Sequence, residues 1–103
     1  MVYHVNSEVT IHEISTVTYG KMLFITMRFS VTTAIPIGRK VVTIAGFGYP
    51  LTANRPISIF TSNTNRCAFL IPNNGGEGSI DLNPKETIAV GNYYTGTAIV
   101  FIS

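Results

Sequence analysis

From Met22 to Val31 apolar and polar residues alternate almost without a break. Leu23, Ile25, Met27, Phe29 and Val31 share one parity, and Thr26, Arg28 and Ser30 share the other. A strand turns successive side chains to opposite faces, so this period of two predicts a strand with one face in a core and the other at least partly wet. Val9-Thr10-Ile11-His12-Glu13 alternates in the same way and runs toward Tyr19-Gly20-Lys21. The glycine supplies a turn there, and the two segments make an opening hairpin. Pro36 and Gly38 then break the ladder, and residues 41–45 resume as a strand. Gly46-Phe47-Gly48-Tyr49-Pro50 reads as a loop with aromatics in it, followed by residues 51–55 and a second proline, Pro56.

The second half continues as short strands at spacings of roughly ten residues, the rhythm of a sandwich or barrel. Residues 57–61 and 67–71 flank Ser62-Asn63-Thr64-Asn65-Arg66. The run Asn73-Asn74-Gly75-Gly76-Glu77 predicts a hairpin, because Asn and Gly tolerate the positive φ angles that tight turns demand. Residues 79–82, 87–90 and 97–102 complete the set. No segment of helical length repeats its apolar residues near every 3.6 positions. The expected fold is therefore all-β, an antiparallel β-sandwich or barrel of about seven to eight short strands. One domain spans residues 1–103, with residues 1–7 as a flexible or stem-proximal segment.

Composition sharpens this. Apolar residues make up 46% of the chain and charged residues 12%, against roughly a quarter charged in an ordinary soluble domain. Much of the surface must then be Thr, Ser, Asn and Gly, or be covered by another subunit. Seven basic and five acidic residues are scattered with no run of like charge, which argues against a nucleic-acid footprint. No apolar stretch reaches the roughly 18 residues of a membrane span, and Met1 to Glu8 lacks the apolar centre of a signal peptide.

Candidate chemistry is sparse. Cys67, the single cysteine, sits in the apolar run Cys67-Ala68-Phe69-Leu70-Ile71 and is expected to be a buried thiol acting as a small hydrophobe. His4 and His12 with Glu8 and Glu13 match no metal-ligand spacing, since His12 and Glu13 as strand neighbours face opposite ways. Asp81, between Ile80 and Leu82, belongs on the wet face of its strand. No nucleophile elbow, phosphate loop or zinc-protease motif occurs. The expectation is a protein that is not an enzyme and uses no metal or other cofactor. Tyr49, Tyr93 and Tyr94 are the rings able to stack on a ligand. If residues 93 and 94 are extended, at most one of them belongs to the core.

Several landmarks stand in a particular order: Gly20-Lys21 before a long alternating strand, the Thr32 to Gly38 loop, Gly46-Phe47-Gly48-Tyr49-Pro50 and Asn54-Arg55-Pro56. A hairpin at residues 73–78 precedes Ser79-Ile80-Asp81-Leu82, and an aromatic-bearing last strand follows Gly91-Asn92-Tyr93-Tyr94. In this order the chain resembles the C-terminal β-sandwich head modules of tail-fibre, baseplate and receptor-binding proteins of phages that infect Gram-positive bacteria. The resemblance implies a homotrimeric virion component at the tail tip or baseplate, made in the host cytoplasm without a signal peptide. It would dock on host cell-surface polysaccharide or teichoic acid, or on other tail and baseplate proteins. Sugar hydroxyls want amides and guanidinium groups and the pyranose face wants a ring. Tyr49, Arg55, Asn63, Asn65 and Arg66 are the loop residues that supply them. The alternative is a structural trimerisation or capping module that binds another virion protein and no sugar.

Overall fold

A computed structural model describes residues 2–46, 51–52, 57–62, 66–76, 79–90 and 93–102. Nine strands and no helix occur among them: β1 (Val2–Val5), β2 (Val9–Tyr19), β3 (Met22–Val31), β4 (Val42–Ala45), β5 (Leu51–Thr52), β6 (Ser58–Thr61), β7 (Cys67–Gly76), β8 (Ser79–Pro84) and β9 (Tyr93–Ile102). All pairings between them are antiparallel, in the order β1-β4-β8-β7-β6-β9-β3-β2, with β5 beside the end of β9. The sheet is rolled, because Tyr3 of β1 lines the same cavity as residues 11–15 of β2 although the two strands end the path. The result is a nearly closed, barrel-like sheet with a seam between β1 and β2.

The inward face of each strand follows its own alternation. Leu23, Ile25, Met27, Phe29 and Val31 of β3 are all buried, as are Tyr94, Ala98 and Val100 of β9, Ile80 and Leu82 of β8, and Val42 and Ile44 of β4. At the centre the Phe29 ring lies 5.4 Å from Tyr94 in a stacked pose and 5.7 Å from Phe60 edge-on, the two geometries that aromatic quadrupoles favour. The Tyr94 hydroxyl donates to the Ala89 carbonyl at 3.0 Å, so the buried ring keeps a partner for its polar end. Gly20, at φ 60, makes the two-residue turn between β2 and β3 with Tyr19 and Met22 as the last pair.

Three expectations change, and a fourth is narrowed. Cys67 is exposed rather than buried, because Ala68 and Leu70 hold the inward parity of β7 and Cys67 stands opposite Thr61 on the outer face. Residues 87–90 form no strand; Ile88 makes a lone bridge to Ile35, which plugs one end of the core. The hairpin expected at residues 73–78 is present, since β7 pairs antiparallel with β8 as far as Gly76 and Ser79, but Asn73 to Gly76 belong to the ladder of β7, which shifts register between Asn74 and Gly76. Residues 2–5, which carry no strong alternation, are drawn into the sheet by pairing with β4.

Candidate binding face

Ile11 pairs with Phe29 and Glu13 with Arg28, so His12 is the additional residue of a β-bulge in β2. The bulge resets the parity. Val9 is buried before it, Ile11 and Ile14 pack against the core on either side of it, and both His12 and Glu13 are exposed. They therefore do not point apart as a regular strand would require.

The outcome is a cluster on the outer face of β2, β3 and β9. Tyr93, paired in register with Ser30, is 52% exposed while its neighbour Tyr94 is fully buried. The His12 ring lies 4.9 Å from that of Tyr93, and His12 Nε2 is 2.9 Å from Ser30 Oγ. The Arg28 guanidinium carbon stands 5.3 Å from the Tyr93 ring centre, within cation–π range. Arg28 is also 4.0 Å from the Glu13 carboxylate, with both side chains largely in solvent, so this ion pair contributes at most about 1 kcal/mol and leaves both groups available. Thr95 pairs with Arg28 in the next row, and Thr26 and Thr97 share a hydroxyl contact of 3.2 Å in the row beyond. A cavity of about 490 Å³ adjoins the cluster and is lined by His12, Glu13, Arg28 and Thr95 together with Tyr3 and Ser15. The face thus carries an aromatic ring bordered by a guanidinium, an imidazole, a carboxylate and hydroxyls.

Of the loop residues named from sequence, Tyr49, Arg55, Asn63 and Asn65 lie outside the described residues. Arg66 is exposed, and its backbone closes the β6–β7 connection: its N–H donates to Ser62 Oγ at 3.1 Å and its carbonyl accepts from the Ser62 N–H at 2.9 Å. Thr61 pairs with Thr95 on one side and Cys67 on the other, which puts Arg66 at the same end of the sheet as Tyr93. Among the described residues no three His, Cys, Asp or Glu side chains converge to hold a metal ion. Asp81, on the outer parity of β8, is held close to the surface by Thr43, whose hydroxyl donates to it at 2.7 Å, and by Lys40 at 3.6 Å.

A second cavity, of about 430 Å³, is lined by Ser7, Glu8, Thr32, Thr33, Pro36 and Arg39. Arg39 donates to the Glu8 carboxylate there and, ahead of a backbone hydrogen bond, holds its pKa below the ordinary carboxylate value. The folded state then binds this proton less tightly than the unfolded chain. Its stabilising contribution is present above the ordinary carboxylate pKa and is lost as pH falls through the lowered one. Thermal melts across the acid range should therefore show a steeper loss for the wild type than for Glu8→Gln; identical acid slopes would refute the coupling.

Comparison with protein-family models, with curated proteins and with solved structures returned no match to this chain. Sequence reasoning had Tyr93 among its stacking rings and Arg28 and Ser30 on the wet face of β3, but it did not bring His12 to them. The signal it lacked is the bulge, which a one-residue change of parity between Ile11 and Ile14 encodes.

Proposed function

We propose that the chain is a binding module of a phage tail device that holds a host-surface saccharide against the outer face of β3 and β9. What carries the reading is the exposed Tyr93 ring bordered by Arg28, His12 and Ser30. The apolar face of a pyranose packs on a tyrosine ring, and its hydroxyls accept from a guanidinium and exchange hydrogen bonds with Ser and Thr hydroxyls. Arg66, at the same end of the sheet, extends the polar border. Each such contact is shallow, so useful retention comes from several copies acting together, three in the family the chain resembles.

The test is retention of purified protein on cell-wall polysaccharide from Gram-positive bacteria. Tyr93→Ala and Arg28→Ala should each weaken retention about tenfold, the loss of roughly 1.4 kcal/mol per site. Melting temperatures should stay close to the wild type, because both side chains are largely exposed. Retention unchanged in both variants would sink the saccharide reading. A second reading, a capping module that binds another virion protein and no sugar, draws support from the exposed apolar side chains Val17, Tyr19, Ile57 and Ile59. Wild-type protein that ignores every wall preparation would favour it.

A further inference from the structure

Along the outer face of β2, β3 and β9 the side chains stand in rows of three, one from each strand. Thr10, Ser30 and Tyr93 form one row, Glu13, Arg28 and Thr95 the next, and Ser15, Thr26 and Thr97 a third. Every member carries a hydrogen-bonding group, and all but the half-buried Ser30 are exposed. The row beyond, Val17, Phe24 and Ile99, carries none. A face that is merely solvated alternates polar residues outward along its whole length; here they are gathered into one half.

At the other end the register runs on past the pair Val9 and Val31, because the Thr32 N–H donates to the Glu8 carbonyl at 2.8 Å. Glu8 and Thr32 have the parity of Thr10 and Ser30, so they add a further row to the same face. There they line the cavity of about 430 Å³ with Ser7, Thr33 and Arg39. The cavity of about 490 Å³, lined by Glu13, Ser15, Thr26, Arg28 and Thr95, lies on the opposite side of the Tyr93 row. The exposed ring therefore stands between two cavities on one track. At about 3.4 Å per residue, the track from Thr32 to Thr26 is about 20 Å long, well beyond the single sugar that one tyrosine ring covers.

The charges on the track are balanced one for one. Arg28 stands 4.0 Å from the Glu13 carboxylate, and Arg39 donates to the carboxylate of Glu8. A polyanion laid here would bring its phosphates against a carboxylate beside each guanidinium, and like charges side by side reject a partner. Sugar hydroxyls gain from the same pairs, since a carboxylate accepts from two hydroxyls and a guanidinium donates to two. Arg66, the next cation at this end of the sheet, belongs to the connection before β7, two strands away from β9. We infer that the two cavities and the Tyr93 ring between them hold one uncharged polysaccharide chain laid along β3, with Glu8 and Arg39 as a second sugar-binding site. This rests on the saccharide reading proposed above and gives that ligand its charge and its extent.

Retention of the full 103-residue chain on two immobilised probes tests this: neutral wall polysaccharide from Gram-positive bacteria, and purified teichoic acid. Fragments of the neutral polymer, separated by length, serve as competitors. The neutral polymer should hold the protein equally at low and high salt, because salt screens only charged contacts, and teichoic acid should not hold it. Competition should strengthen with fragment length and level off once the track is filled. Tyr93→Ala should weaken fragments of every length. Arg39→Ala should weaken the longest fragments about tenfold and so flatten the length dependence. Ala34→Trp should do the same: Ala34 is exposed and lines the second cavity, so the indole fills that space and leaves the ion pair and the fold in place. Single sugars that compete as well as long fragments, a length dependence that survives Ala34→Trp, or teichoic acid that holds the protein at low salt and releases it at high salt would each overturn the inference while leaving a saccharide site at Tyr93. Failure of the saccharide reading looks different: neither probe holds the wild type at any salt, and the inference falls with it.

Discussion

Gly96→Val should leave the chain without a cooperative folding transition, and Gly96→Ala should lower stability by about 3 kcal/mol or more. Gly96 lies on β9 between Met27 of β3 and Phe60 of β6. A Cβ added there would stand 2.6 Å from the Ile59 carbonyl oxygen, 3.0 Å from Phe60 Cα and 3.0 Å from Phe60 Cδ2. The first two are backbone atoms of a paired strand and cannot rotate away. Two effects oppose each other at this position. Removing a glycine from a strand stabilises by about 0.5–1 kcal/mol through the unfolded state. Parting β6 from β9 loses ladder hydrogen bonds and the packing of the Phe60 ring, each worth about a kilocalorie or more. The clash therefore wins. Since a domain of this kind holds only about 5–15 kcal/mol in total, the valine variant should be recovered as unfolded or aggregated protein. A Gly96→Ala melt within a few degrees of the wild type would show that β6 can move aside.

Phe29→Ala is the second large effect, expected at about 3–5 kcal/mol. The ring is fully buried and touches both other aromatic members of the centre, Tyr94 and Phe60. Its loss removes the transfer free energy of a large side chain and leaves a hole that the rigid strands around it cannot close. Thermal melts should shift down by at least about 12 °C, taking about 4 °C per kcal/mol for a domain of this size. Phe29→Leu should cost less than half as much. A small shift for the alanine variant would mean that Tyr94 and Phe60 collapse into the gap. Tyr93→Ala, one residue from the core tyrosine, should move the melt by no more than about 0.5 kcal/mol. The contrast tests the inside–outside assignment of that strand directly.

The parts of the fold legible in the sequence are those set by neighbours along the chain. A period of two is a local property, so the buried face of β3 from Leu23 to Val31 could be read residue by residue. The opposed environments of Tyr93 and Tyr94 follow for the same reason, as does the turn at Gly20, whose φ of 60 suits a residue without Cβ. For the candidate face, the same alternation marks Arg28 and Ser30 as outward and leaves Tyr93 free to be the exposed ring.

What the chain's neighbours in sequence cannot encode, tertiary structure decided. Cys67 sits in an apolar run that looks buried, yet which parity of that run faces the core depends on its pairing with β6. Residues 87–90 have strand composition but only one bridge, because the place beside Ile88 is at the end of the core, against Ile35. The meeting of His12 with Tyr93 needed two non-local facts at once. β9 had to lie beside β3 after about 60 residues of intervening chain, a loop closure whose outcome no local pattern sets. The bulge then had to rotate His12 outward by adding a residue to one side of a ladder whose other side is regular. Alternation tells which side chains share a face, while strand order and register tell which faces meet, and the latter are settled by the competition among all strands for one core.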